Sequence, residues 1–249
     1  MPSTTPPRPG DPAPLPPLSA ESGADCERCG EAGPVLPEGV DLFRVVLLGN
    51  PNTGKTTLFN RLSGLKAKTS NFPGTTQDAR VGHVRAEASG LLDVELIDLP
   101  GVYSLELDQS EAMVCREVLA GRLAPRGEKS GDPDAVLVVL DASNLARNLI
   151  FAGEVLRRRL PTVVAVNMVD LAGKAGIRVD VEVLSESLGC PAIPICARSG
   201  EGVEALLPAL RGAGIPNVTP PGTATSLQRW AQGALRCAGD RPLPMRAMA

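Results

Sequence analysis

The run Gly49-Asn50-Pro51-Asn52-Thr53-Gly54-Lys55-Thr56 has the residue types and spacing G-x-x-x-x-G-K-[ST], a pattern built to hold phosphate. Its glycines let main-chain N–H groups approach phosphate oxygens, and a helix starting at its end adds the positive pole of a dipole. Lys55 brings a point charge for the β- and γ-phosphates, the Thr56 hydroxyl suits a Mg²⁺ shell, and Thr57 completes the contact set. The chemistry open to these residues is polyphosphate binding and phosphoryl transfer.

A phosphate loop does not choose a base. Asn167-Met168-Val169-Asp170 closes a later apolar run. An ionised carboxylate only accepts hydrogen bonds, and guanine, unlike adenine, offers two adjacent N–H donors on its Watson–Crick edge, so Asp170 is suited to select guanine. Asn167 is expected to brace the loop. Alone, N-x-x-D is an ordinary strand-ending turn; it gains weight from lying at the carboxyl end of a strand, where open α/β sheets bind ligands. Cys196-Ala197-Arg198 follows the last strand, where main-chain N–H groups could meet the guanine carbonyl.

Two further segments fit the phosphate end of the same ligand. Asp98-Leu99-Pro100-Gly101 ends a strand, so the aspartate can hold Mg²⁺ through water and the Gly101 N–H can approach a γ-phosphate. Asn71-Phe72-Pro73-Gly74-Thr75-Thr76 lies in a loop long enough to fold over the phosphates, with Thr76 reaching Mg²⁺ only when a γ-phosphate is present. That dependence would make the loop a switch.

Elements that could position these groups alternate along the chain, the pattern of a parallel sheet covered by helices. Expected strands are Arg44–Leu48, Val81–Ala86, Val94–Asp98, Ala135–Asp141, Thr162–Asn167 and Ala192–Cys196. Expected helices are Thr56–Ser63, Glu111–Ala120, Asn144–Arg159, Val181–Leu188 and Val203–Leu210. In the third helix Leu145, Leu149, Ala152 and Leu156 recur on one face, which should pack on the sheet. The run Arg157, Arg158, Arg159 reads as a solvated helix end that suits the negative pole of the dipole. The fold class is therefore α/β, a P-loop NTPase domain with a mostly parallel six-stranded sheet and helices on both faces. Residues 1–42 are rich in Pro, Gly, Ser and Ala and read as a disordered leader; 43–212 form the domain; 213–249 read as a flexible tail with a short helix around Leu227 to Cys237.

The 25 basic and 28 acidic residues, net charge −3, give no basic footprint for nucleic acid or anionic lipid. The longest apolar runs have strand length, far short of the roughly 20 residues of a membrane-spanning helix. No charged segment followed by an apolar core opens the chain, so a reducing cytosol is the expected compartment and the six cysteines read as free thiols. Cys26 and Cys29 form a C-E-R-C pair without a second pair at metal-site spacing, which favours exposed thiols over a zinc site.

With these elements in order, the segment from about Arg44 to Arg211 resembles the cytosolic G domain of the bacterial ferrous iron transport protein B (FeoB) family. The resemblance rests on G-N-P-N-T-G-K-T-T-L-F-N, N-F-P-G-T-T, D-L-P-G-V-Y-S-L, L-D-A-S-N-L-A-R-N-L and N-M-V-D. It implies Mg²⁺ threonines at Thr56 and Thr76, a γ-phosphate-sensing pair at Asp98 and Gly101, and a base-reading pair at Asn167 and Asp170. Met168 stands where most G proteins carry a base-stacking lysine, and methionine is typical of this family. Cys196 departs from the family's usual serine, which would weaken the guanine contact. Val102 stands where many G proteins place a water-orienting glutamine, so slow turnover is expected. In related potassium-activated G proteins an asparagine in the phosphate loop helps bind K⁺; here that is Asn52, and its plainer role is to stiffen the loop. Lys55, Asn52, Thr76 and Gly101 are then the catalytic set.

The resemblance further implies GTP and GDP as ligands and a separate membrane-embedded iron transport domain as partner. The chain would be cytoplasmic, or peripheral on the inner face of the membrane through that partner. Leu227-Gln228-Arg229-Trp230-Ala231 resembles a helix leading toward the membrane in some relatives, after which the sequence stops, as a split or truncated product would. Two other functions stay open at this level: a freestanding ribosome- or RNA-associated G protein, which usually carries a basic appendage, and a nucleotide-sensing module with negligible hydrolysis. Nothing in the sequence speaks to oligomeric state.

Overall fold

The structure, a computed structural model, describes residues 42–64, 67–84 and 93–239. Cys26, Cys29 and the expected leader lie outside the described residues. Among the described residues seven strands form one sheet: β1 (Phe43–Gly49), β2 (Ala67–Asn71), β3 (Asp78–Val84), β4 (Val94–Asp98), β5 (Ala135–Asp141), β6 (Thr162–Asn167) and β7 (Ala192–Pro194). Their order is β2-β3-β4-β1-β5-β6-β7. β4, β1, β5, β6 and β7 run parallel, while β3 and β2 join antiparallel at one side.

The expected six strands thus become seven. The addition is β2, A-K-T-S-N, whose residues are all exposed or half-buried. It starts a hairpin with β3 and carries Asn71, so the loop over the phosphate end is a hairpin connection of residues 72–77. β3 also begins earlier than the expected Val81, at Asp78.

The helices are α1 (Lys55–Ser63), α2 (Ser110–Leu119), α3 (Leu145–Leu156), α4 (Val169–Lys174), α5 (Val181–Leu188), α6 (Leu206–Arg211) and α7 (Ala224–Cys237). Buried runs such as Ala135–Leu140 are apolar on both faces, as a sheet covered on two sides requires. On one face Val46, Leu48, Val136 and Val138 pack with α2, α3, α5 and α7; on the other, Val45, Leu47, Leu137 and Val139 meet Leu58 and Phe59 of α1 and Leu206 and Leu210 of α6. The α3 stripe of Leu145, Leu149, Ala152 and Leu156 is buried as its spacing predicts.

Two expectations need correction at the carboxyl side. First, α3 ends at Leu156, and the arginines after it, of which Arg158 and Arg159 stay exposed as expected, also make bonds: Arg157 donates to the Gly222 carbonyl at 2.7 Å, and Arg159 to the Pro216 carbonyl at 2.8 Å and Thr219 Oγ1 at 2.9 Å. Arg159, three residues past the helix end, adopts φ 59°. Second, the helix expected around Leu227 to Cys237 starts three residues earlier, as α7, with Leu227, Ala231 and Ala234 buried. It seats against α3 where Gly153 leaves no room for a side chain: a Cβ there would lie 2.5 Å from Leu227 Cδ1 and 2.8 Å from Trp230 Cζ3. No helix among the described residues is long and apolar enough to cross a membrane.

Candidate functional site

β1 sits at the point where connections leave in opposite directions, with β4 on one side and β5 on the other. The crevice beyond the carboxyl ends of such strands is where this architecture binds ligands. The turn from Gly49 to Gly54 leaves β1 there and starts α1. Gly54 has φ 83°, and a Cβ on it would fall 2.3 Å from Asn167 Nδ2; a Cβ on Gly49 would lie 2.6 Å from the Val139 carbonyl. Only glycine fits either place. Thr53 Oγ1 closes the turn by donating to the Asn50 carbonyl at 2.9 Å. Asn52 takes φ 66°, a left-handed conformation that asparagine tolerates, and its side chain is exposed.

Lys55, Thr56, Asp98 and Gly101 line one cleft of about 260 Å³, together with Thr69, Asp78, Arg80, Leu99 and Pro100. Lys55 Nζ donates to Asp98 Oδ1 and to the Leu99 carbonyl, both at 2.5 Å, and lysine and aspartate are both largely buried. Gly101 rides over the turn, 3.1 Å from Pro51 Cα at its Cβ position, and Val102 N–H donates to the Gly49 carbonyl at 3.3 Å. Thr69, Asp78 and Arg80 were not legible as site residues. The pairing that could have found them is register: Arg80 lies opposite Asp98 in the β3–β4 ladder. Thr76 is exposed and is not among the cleft-lining residues; its loop is folded on Phe72, which is buried and bonded through its carbonyl to Thr75. Thr57 is exposed on α1.

The residues expected on the base side meet through Asn167, the last residue of β6. Its Nδ2 donates to the Thr53 carbonyl at 2.8 Å and its Oδ1 accepts from Ala197 N–H at 2.9 Å, so one buried amide joins the phosphate turn to the loop after β7. Met168 caps α4 with φ 64°, and its Cε is 3.5 Å from the Cβ position of Gly54. Asp170 follows in the first turn of α4, exposed and without a protein partner among the described residues. Cys196 and Ala197 are buried, Arg198 exposed. Arg61 of α1 was missed by the sequence argument: it donates to the carbonyls of Ala197 at 2.9 Å and Arg198 at 2.7 Å, clamping the loop to the helix that begins at Lys55.

A mostly parallel sheet with a glycine-bounded phosphate turn between β1 and α1, an aspartate ending β4 and an N-x-x-D turn after β6 defines the G-domain class of P-loop folds. A profile of the family described as ferrous iron transport protein B matches residues 43–210. The Fe(2+) transporter FeoB of Salmonella typhimurium is 41% identical over 160 residues, covering 64% of this chain and 20% of the transporter. Among solved structures, a GDP-bound variant of S. thermophilus NFeoB is 32% identical with a TM-score of 0.62, over 72% of this chain and 64% of that one. The cytosolic domain of L. pneumophila FeoB is 35% identical with a TM-score of 0.61, over 71% and 66%. The chain belongs to the ferrous iron transport protein B family, and it spans about a fifth of the length of the curated relatives it matches.

Proposed function

We propose that this chain binds GTP and hydrolyses it to GDP and phosphate with Mg²⁺, and that it serves to regulate ferrous iron transport by a membrane-embedded domain. The observation that carries the nucleotide part is Asn167: through it the phosphate turn and the two base-side loops form one unit, with the unpartnered Asp170 carboxylate beside it. Salmonella FeoB is named as an Fe(2+) transporter and the S. thermophilus relative binds GDP, which supports transfer of both properties to this chain.

Each residue then has a task. Main-chain N–H groups from Asn52 to Thr56 hold the phosphates, and Lys55 exchanges its bonds to Asp98 and Leu99 for phosphate oxygens. Asp170 accepts two N–H bonds from guanine, Met168 lies against the base, and main-chain N–H groups from Cys196 to Arg198 face the base carbonyl. The hydroxyl of Thr56 and the carboxylates of Asp98 and Asp78 put hard oxygen donors in the same cleft, which suits Mg²⁺, and Thr76 would join them from its loop. The ion supplies charge neutralisation on the phosphates. Gly101 N–H senses the γ-phosphate. Val102 is buried and held through its N–H, so no side chain at that position orients water, and hydrolysis is slow.

Titration of the purified chain with GDP, GTP and ATP in a calorimeter, with and without Mg²⁺, tests this. Magnesium-dependent affinity for guanine nucleotides and phosphate release from GTP are expected. Absence of guanine nucleotide binding would defeat the proposal; binding with phosphate release at background would favour a nucleotide-sensing module instead, the alternative to which buried Val102 points.

A further inference from the structure

Arg61 stands in the last turn of α1, where a cation ordinarily serves the negative pole of the helix dipole. Its guanidinium reaches further than that role requires. Nε donates to the Ala197 carbonyl at 2.9 Å and Nη2 to the Arg198 carbonyl at 2.7 Å, so one planar fork holds two successive peptides of the loop after β7. The loop comes down on this fork at Gly200: φ is 98° there, and a Cβ would lie 2.7 Å from Arg61 Nη1. A lysine, with a single nitrogen, has no fork to span the two carbonyls.

The same loop is closed at its neck by its own main chain, Cys196 N–H donating to the Glu201 carbonyl at 2.9 Å and Gly200 N–H to the Cys196 carbonyl at 2.8 Å. Ala197 N–H is spent on Asn167 Oδ1 at 2.9 Å. Of the three N–H groups from Cys196 to Arg198, two are thereby engaged, and that of Arg198 has no protein acceptor among the described residues. Its direction follows from peptide geometry. In a planar trans peptide the C=O of one residue and the N–H of the next point opposite ways, so turning the Ala197 carbonyl onto Arg61 turns the Arg198 N–H away from α1. The second arm of the fork holds the following peptide as well, which opposes a flip of the first. α1 begins at Lys55, and the six positions from there to Arg61 amount to about 9 Å of helix rise, a rigid spacer between phosphate lysine and base loop.

We propose that Arg61 is a positioning residue for base recognition, presenting the Arg198 N–H to the guanine 6-oxo group at a set distance from the phosphate turn and so slowing nucleotide release. This rests on the nucleotide reading given above. Asp170 takes the N1–H and 2-amino donors of guanine, while the peptide held by Arg61 takes the 6-oxo acceptor beside them. The two contacts come from different elements, α4 and the loop after β7. Loss of the fork frees the loop and leaves α4 in place, so the first contact persists as the second weakens.

Two analogues separate these contacts. In 6-thio-GDP a thiocarbonyl, a poorer acceptor, replaces the 6-oxo group and the donors facing Asp170 remain; IDP keeps the 6-oxo group and lacks the 2-amino donor. Affinities of the full chain for GDP, 6-thio-GDP and IDP are measured by calorimetry, and release of a fluorescent GDP by stopped flow. The wild type is expected to prefer GDP to 6-thio-GDP. Arg61→Ala is expected to shrink that preference about three- to tenfold, the worth of one hydrogen bond, and to release GDP faster by a similar factor, with its preference for GDP over IDP retained. Arg61→Lys keeps the charge without the fork and is expected to behave as Arg61→Ala, which separates positioning from attraction between the cation and the phosphates. A wild type that binds GDP and 6-thio-GDP equally, a preference unchanged in Arg61→Ala, or wild-type behaviour of Arg61→Lys would overturn the proposal. An equal fall of both preferences in Arg61→Ala would also overturn it, as that marks a general loosening of the site. A wild type that binds no guanine nucleotide defeats the nucleotide reading itself, and this proposal with it, before any substitution is made.

Discussion

Asn167 donates its side-chain amide to the main-chain oxygen of Thr53 at 2.8 Å, across 114 residues of sequence. The same side chain accepts from Ala197 N–H, so removing it orphans a buried carbonyl and a buried N–H together. Asn167→Ala is expected to cost about 1–3 kcal/mol of stability, from the desolvation penalty of unpaired buried groups. It should also weaken GDP binding. Urea denaturation and calorimetry measure the two; full stability with unchanged affinity would contradict the role.

Gly54 offers a stricter test of the same junction. An alanine there must adopt φ 83° and place its Cβ 2.3 Å from Asn167 Nδ2. The left-handed conformation alone costs roughly 1–2 kcal/mol, and the displaced amide adds to it. Gly54→Ala is expected to abolish detectable GDP binding in a calorimeter, whereas Gly64→Ala, with φ 61° but open space around its Cβ position, should retain it.

In the proposed function base selection falls to Asp170, an exposed carboxylate in the first turn of α4. Asp170→Asn replaces an acceptor pair by an amide that donates to the carbonyl xanthine carries. GTP affinity is expected to fall by at least about a hundredfold, from the loss of two hydrogen bonds to an ionised group, and XTP affinity to rise. Competition between the two nucleotides gives the ratio; an undiminished preference for GTP would show that another group reads the base.

Asn52 presents its side chain to solvent from a left-handed residue within the phosphate turn. That placement leaves its amide oxygen available to a monovalent cation. GTP turnover is expected to be faster in KCl than in NaCl at equal ionic strength, and the difference should vanish in Asn52→Ala. Equal rates in the two salts would leave Asn52 the simpler task of stiffening the turn.

A pH dependence follows from the segment between α2 and β5. Burial, and then a hydrogen bond with the Glu95 carboxyl, push the Glu128 pKa from its ordinary 4.5 up to about 7, against the opposing pull of Lys68 and Arg44. The folded chain therefore binds this proton more tightly than the unfolded one. Its stabilising contribution is complete below about pH 4.5 and is lost as pH rises through about 7. Glu128→Gln is expected to flatten the stability profile across that window and to be more stable than the wild type above it. Urea midpoints at about pH 5 and about pH 8 check this, and equal slopes for the two proteins would refute it.

The sequence made the centre of the sheet legible because β1, β4, β5 and β6 are short apolar runs that end in chemistry-bearing residues. β2 escaped because A-K-T-S-N has no apolar alternation; its pairing with β3 alone makes it a strand. α4 escaped because six residues are too few to show a helical period, and its first turn overlaps N-M-V-D. In the site, single motifs named Lys55, Asp98, Asn167 and Asp170, whereas Arg61 and Arg80 depend on long-range neighbours that no local spacing encodes. The arginines after α3 illustrate the same limit: a dipole argument accounts for their charge, but their partners at Gly222, Pro216 and Thr219 come from the chain's return 57 to 65 residues later.

Both margins of the sheet discourage unwanted growth. At one, β2 is five residues long, polar and carries Lys68; at the other, β7 is three residues long and ends in Pro194, which has no amide hydrogen to share. Short, charged or proline-bearing borders are poor templates for a foreign strand. Two copies of this domain thus have little means of zipping together edge to edge, and amyloid-like stacking would have to begin from a strand first torn out of the interior.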